Sequence, residues 1–168
     1  MLKKYTRQML VSSMYAVVTL VIAPASFGPI QFRISEALMV LVLFDYDYIY
    51  GLTFGCFLAN LIGLLSGANP IGVMDIIFGS SATFISCAMM YNLKNLKIKQ
   101  IPFISMMMPA IINGIIVGME LALIFNEGNI ITYWLIYGLQ VFVGELAVLL
   151  IIGIPVYLAL KNIKFDEQ

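Results

Sequence analysis

Four carboxylates stand where an apolar chain has least use for them: Glu36, Asp75, Glu120 and Glu145. Each falls in or beside a long uncharged stretch. An ionisable group at bilayer depth costs about a few kcal/mol or more, so each is a candidate functional group. The base nearest to any of them in sequence is Arg33, three residues before Glu36, and the two read as an ion pair of one loop. With Arg33 so engaged, Asp75 and Glu120 are left without a basic partner. A pocket built that way takes a cation, or a ligand that offers several N–H donors to a carboxylate.

Other chemistries lack their parts. The chain has no histidine, so the default general base near pH 7 and the commonest metal ligand are both missing. Cys56 and Cys87 sit in apolar stretches without CxxC spacing and read as small core side chains. No GxxxxGK[ST] loop is present, so ATP hydrolysis by that route is excluded. No metal, cofactor or catalytic residue is expected. An intramembrane enzyme using its buried acids would need a nucleophile beside a base, and none is visible.

Each candidate also has a plainer role. Glu36 and Asp75 fall at helix starts, where an acid stabilises the N-terminus by about 0.3–1 kcal/mol. Glu120 and Glu145 could clamp neighbouring helices, as could the amides Asn60, Asn113 and Gln140. Asn113 and Glu120 are seven apart, on one helix face, which favours a shared lining. Tyr133, Trp134 and Tyr137 open the last helix, where an interfacial aromatic belt competes with ligand stacking.

The elements that must hold these groups follow from the composition. Of the 168 residues, 62% are hydrophobic and only 11% charged, against about 45–50% and about 25% in a soluble domain. The mean hydropathy is +1.01. A soluble monomer is excluded, and with nine acids against nine bases no net field draws the chain to nucleic acid. Helices are expected over 8–26, 35–46, 48–66, 71–92, 102–125 and 131–160, separated by Pro24, Gly28-Pro29, Gly67, Asn69-Pro70, Pro102 and Gly128-Asn129. Residues 1–168 then form a single all-α membrane domain, a six-transmembrane-helix bundle. The second helix is short, so it must be tilted, kinked or shielded by neighbours. Continuously apolar runs argue against a β-barrel.

Charge orients the bundle. Lys3, Lys4 and Arg7 precede the first helix, Lys94, Lys97 and Lys99 separate the fourth from the fifth, and Lys161 and Lys164 follow the sixth. Six spans put all three clusters on one face, the cytoplasmic one, with both termini. The first 25 residues also imitate a secretory signal ending at Ala23-Pro24-Ala25, but the apolar run is long and proline crowds the cleavage site, so the first helix is expected to stay. The outer face then carries the loops at 27–36, 66–75 and 126–130, where Glu36, Asp75 and Glu120 converge, with Glu145 deeper. Helices three to six contain no lysine or arginine, which argues against phosphate- or carboxylate-bearing ligands. Phe32 and Trp134 suit a flat heterocycle. Ser12 and Ala16, continued by Thr19 and Ala23, give a small-xxx-small face that lets another helix approach, from inside or outside the chain.

A basic N-terminus, the string GPIQFRISEAL at 28–38, GANPIGVMDIIFGSSAT at 67–83, NGIIVGMEL at 113–121 and GEL at 144–146 resemble the QueT family over most of the chain. The resemblance implies a substrate-binding S component of an energy-coupling-factor (ECF) transporter, in the cell membrane. It also implies uptake of a queuosine precursor, a 7-deazaguanine such as 7-aminomethyl-7-deazaguanine (preQ1). The partners it implies are a transmembrane coupling subunit and two ATPases, and it matches Ser12/Ala16 to a docking motif for the coupling subunit. The guanine-like edge presents two parallel donors to one carboxylate and the aminomethyl group an ammonium to another. Glu120 and Asp75 are assigned those roles with the ends left open, Asn113 or Gln140 the ring carbonyl, and Arg33 the outer loop through Glu36. An S component for another vitamin is the alternative.

Overall fold

The computed structural model describes residues 2–28, 30–125 and 127–162; Pro29, Asn126 and Lys164 lie outside the described residues. The described residues are helical with one isolated β-bridge, Ile98 to Ile101. The order is α1 (Leu2–Val21), α2 (Ala23–Ser26), a 3-10 helix (Ile34–Leu43), α3 (Tyr48–Leu65), α4 (Val73–Leu93), α5 (Phe103–Met106), α6 (Met108–Phe125), α7 (Ile130–Val148), a π-helical turn (Leu149–Gly153) and α8 (Ile154–Leu160). Four stretches are long and apolar enough to cross a membrane: Tyr48–Leu65, Val73–Leu93, Phe103–Phe125 and Ile130–Leu160.

Three interruptions sit at prolines. Pro24, Pro109 and Pro155 have no N–H to return to the carbonyl four residues earlier, and the ring crowds that carbonyl. The helix breaks at Ile22, breaks at Met107 and widens into the π turn before Pro155.

The segment after Arg33 is the departure from expectation. It is 3-10 rather than α, ten residues long, whereas such runs seldom exceed a few residues. A 3-10 helix rises about 2.0 Å per residue, so ten residues span about 20 Å where an α-helix would give about 15 Å. Stretching thus offsets the shortness. The segment is also shielded, packing against α1, α3, α4, α7, α8 and the π turn, and Met39, Val40 and Val42 are fully buried.

Around this central stave, α1 packs on α3 through Gly51 and Gly55, and α6 packs on α7 through Gly114, Gly118 and Gly138. A Cβ on Gly55 would stand 2.8 Å from the Ser12 carbonyl, and one on Gly118 would stand 2.5 Å from the Gly138 Cα. Helices approach this closely only where side chains are absent.

The connections alternate between the two ends of the bundle. At one end Lys4 pairs with Asp47 at 2.7 Å and Arg7 pairs with Asp45, while Phe44 stacks on Tyr157. At the other end Phe27, Pro70, Phe125 and Glu127 meet around one cavity.

Candidate functional site

The loop from 66 to 72 shows how local rules place a functional group. Gly67 takes φ +72°, a left-handed value that suits glycine at a helix end. The Ala68 amide donates to Gly63 O at 2.8 Å and the Gly67 amide to Leu64 O at 3.1 Å, the paired bonds of a Schellman stop. The chain then turns at Asn69, whose side-chain oxygen accepts from the Ile71 amide at 3.0 Å. Its amide nitrogen is left to donate to Asp75 Oδ2 at 2.7 Å. Asp75 lies in the first turn of α4, and Asn60 of α3 donates to its backbone carbonyl at 2.6 Å. Gly79, one turn on, leaves the room: a Cβ there would meet Asp75 Oδ1 at 2.5 Å.

Arg33 reaches the same carboxylate. Between Gln31 and Ile34 side chains alternate, Gln31 and Arg33 inward, Phe32 and Ile34 outward. Arg33 Nη2 stands 3.5 Å from Asp75 Oδ2, with the two side chains 2% and 0% exposed. Its Nη1 lies 3.6 Å from Cys56 Sγ, and its guanidinium rides over the Phe27 ring at 5.6 Å. The partner expected for Arg33 is therefore corrected from Glu36 to Asp75. Glu36 lies in the first turn of the 3-10 helix and turns instead toward α1, where the Tyr15 hydroxyl donates to its Oε1. Asp75, in consequence, does not lack a basic partner.

Glu120 does lack a direct one. It is fully buried on α6, and neither carboxyl oxygen has a hydrogen-bond partner among the described residues. Arg33 and Asp75 both act on it electrostatically. Glu145, fully buried on α7, is influenced by Glu36 and Arg33 and stands beside Asn113 of α6. Glu36 Oε2 and Asp75 Oδ1 are likewise buried without partners among the described residues. One guanidinium thus serves four buried carboxyl groups contributed by four different elements. Among the described residues no three of the acids and cysteines close on a point as a metal set would.

Above this cluster, where three connections meet, is a cavity of about 300 Å³ lined by Phe27, Pro70, Leu121, Phe125, Glu127 and Tyr137, a size that suits a small ligand. Phe27 belongs to both parts, lining the cavity and carrying Arg33. The strap from Phe27 to Arg33 crosses α7 at Gly144, where a Cβ would stand 2.0 Å from Ile30 O.

The remaining candidates divide. Asn113 belongs to the cluster. Gln140 is half-buried on the α7 stripe that runs from Tyr137 to Gly144. Phe32 is 41% exposed and points away because its neighbour Arg33 points in. Trp134 donates to Ile115 O at 3.0 Å and lines an uncharged groove of about 370 Å³ between α6 and α7; the structure does not bring it to the acids. Ser12 and Ala16 are buried, with the Ser12 hydroxyl donating to Gly51 O at 2.6 Å. Their small-residue face is filled by α3 of the same chain. Sequence reasoning missed Tyr15, Asn69 and Phe27. For Tyr15 a signal existed: Ser12, Tyr15, Ala16 and Thr19 recur at helical spacing and share the buried face of α1.

A family model described as QueT transporter matches residues 5–162. The protein named Queuosine precursor transporter QueT from Lactococcus lactis subsp. cremoris (strain MG1363) is 31% identical over 78 residues, which are 45% of this chain and 42% of that protein. The chain therefore aligns with under half the length of that curated relative. No solved structure matches.

Proposed function

The chain belongs to the QueT transporter family, a multi-pass membrane protein, and from that premise we propose that it is the substrate-binding S component of an ECF-type importer. Its ligand is a queuosine precursor, a 7-deazaguanine such as preQ1. It carries out no catalysis; a coupling subunit and two ATPases supply the work. The observation that carries this reading is Glu120, a buried carboxylate with both oxygens uncommitted among the described residues, whose chain neighbour Leu121 lines a cavity of about 300 Å³.

The chemistry favours a cationic, donor-rich heterocycle. Four buried carboxyl groups share one guanidinium, and their unpartnered oxygens are available to a cation or to the N–H donors of a ligand. An ammonium or a bidentate N–H edge meeting a carboxylate contributes about 1.5–3 kcal/mol per hydrogen bond. Glu120 takes one end of the ligand and Glu145, beside Asn113, the other. Asp75 serves as the anchor of Arg33, whose guanidinium lies over Phe27 at the edge of the cavity. Tyr137 and Phe125 offer flat faces to the ring.

Orientation follows from charge. We take α1 with α2 and the 3-10 helix as two crossings in addition to the four long ones, six in all. Lys3, Lys4, Arg7, Lys94, Lys97, Lys99 and Lys161 then lie at one end, with the acid cluster toward the other. Basic residues concentrate on the cytoplasmic side, so both termini face the cytoplasm and the cavity opens outward.

Titration calorimetry on the purified chain tests the reading. It expects a dissociation constant for preQ1 below about 1 µM, uncontested by biotin, thiamine or riboflavin. Absence of heat at ligand concentrations of tens of micromolar rejects the substrate. Displacement by one of the vitamins transfers the chain to that ligand.

A further inference from the structure

The end of the bundle opposite the acid cluster holds a second polar cavity, of about 250 Å³, lined by Lys94, Lys97 and Lys161 together with Asn95, Tyr157 and Phe44. Among the described residues no carboxylate lines it. The acids described at this end are engaged elsewhere, Asp45 with Arg7 and Asp47 with Lys4, and Asp166 and Glu167 lie outside the described residues. Three lysines line so small a space with no acid among the described lining residues, a concentration of positive charge that favours an anion.

Depth indicates which anion. Lys94 directly follows Leu93, the last residue of one membrane-crossing stretch, and Lys161 directly follows Leu160, the last residue of another. Both ammonium groups emerge at the level of lipid headgroups, where basic side chains attract anionic lipids. The Lys94 ammonium is steered rather than free, lying 3.6 Å from the centroid of the Tyr91 ring, a cation–π contact that fixes its direction.

The backbone beside the cavity is unusual. Lys99 and Gln100 take φ +49° and +68°, left-handed values that residues with a Cβ seldom adopt. They form a two-residue turn closed by the Ile98 amide on Ile101 O at 2.9 Å and the Ile101 amide on Ile98 O at 3.1 Å. Asn-Gly or Gly-Gly is the usual choice for such a turn, and Lys-Gln stands in its place. From the cavity wall the Tyr157 hydroxyl donates to Gln100 O at 3.4 Å. That bond ties the turn to α8, while residues 96–100 stay exposed.

We propose that Lys94, Lys97 and Lys161 form a binding site for the phosphate of an anionic phospholipid in the membrane leaflet that faces this end of the bundle. The site is separate from the acid cluster and does not depend on the ligand bound there.

Thermal unfolding of the full chain in a neutral detergent tests it, with phosphatidylglycerol, phosphatidylcholine or soluble glycerol phosphate added. Phosphatidylglycerol is expected to raise Tm by about 4 °C or more, and phosphatidylcholine to leave it in place. The triple variant Lys94→Gln, Lys97→Gln, Lys161→Gln should lose that rise, and the corresponding triple arginine variant should keep it. These side chains are at the surface, so both variants should fold, which their Tm without lipid reports. Three results overturn the proposal: equal responses to the two lipids, a rise that survives in the glutamine variant, or a full rise from glycerol phosphate alone, which would make the site one for a soluble phosphate.

Discussion

Asp75→Asn and Glu120→Gln remove the same charge a short distance apart, yet the structure assigns them opposite consequences. Asp75 is held by its own chain: Asn69 donates to it at 2.7 Å and Arg33 stands 3.5 Å away, both side chains of the ion pair being essentially sealed from solvent. At that separation and an effective dielectric of about 20, the attraction is about 5 kcal/mol. Stranding one member of a buried pair typically costs about 3–5 kcal/mol. For a chain of this size each kcal/mol lowers Tm by about 2–4 °C, so Asp75→Asn should be visible in any unfolding scan. Glu120 has no hydrogen-bond partner among the described residues to lose, and an amide is less costly to bury than a carboxylate. Its Tm should hold or rise. Ligand affinity should move the other way, since removing a carboxylate that meets a charged or bidentate donor costs about 2–5 kcal/mol, or about thirty- to several-thousand-fold in Kd. The assay is a Tm and a calorimetric Kd for preQ1 on both variants. A wild-type Tm for Asp75→Asn, or an affinity change under threefold for Glu120→Gln, refutes the division of roles.

Three further substitutions probe the surroundings. Gly144→Ala places a Cβ 2.0 Å from Ile30 O; overpacking of that kind costs about 1–3 kcal/mol, so the strap should lift, lowering Tm and weakening ligand binding together. Tyr15→Phe leaves the buried Glu36 Oε1 without its donor, and a destabilisation of about 1–3 kcal/mol is expected, read as a lower Tm. Trp134→Phe removes only the bond to Ile115 O at a site with no charged lining. Its preQ1 affinity should stay within about threefold of wild type, and a larger loss in calorimetry would bring the groove between α6 and α7 into the binding site.

What the sequence determines by itself is whatever depends on composition and local order. An apolar excess with few charges forces a helical membrane protein, because only helices satisfy their own backbone within continuously apolar runs. Charged residues inside such runs stand out by their cost, so Arg33, Glu36, Asp75, Glu120 and Glu145 were visible as candidates. Partnership was not visible. Arg33 and Glu36 are neighbours in the chain, and adjacency suggests a pair, but the turns of the strap at Gln31 send Arg33 across to α4 while the 3-10 helix turns Glu36 to Tyr15 of α1. Sequence proximity fixes how far apart two side chains begin; the directions in which they leave the backbone are set by φ and ψ. The 3-10 form of residues 34–43 was equally hidden, since a short apolar run reads alike in either helix, and only burial on every side lets it stretch to the length its neighbours need. Tyr15 and Asn69 entered the site for the same reason. Each carries no charge to betray it, and each acquires a role because tertiary packing brings a carboxylate within reach.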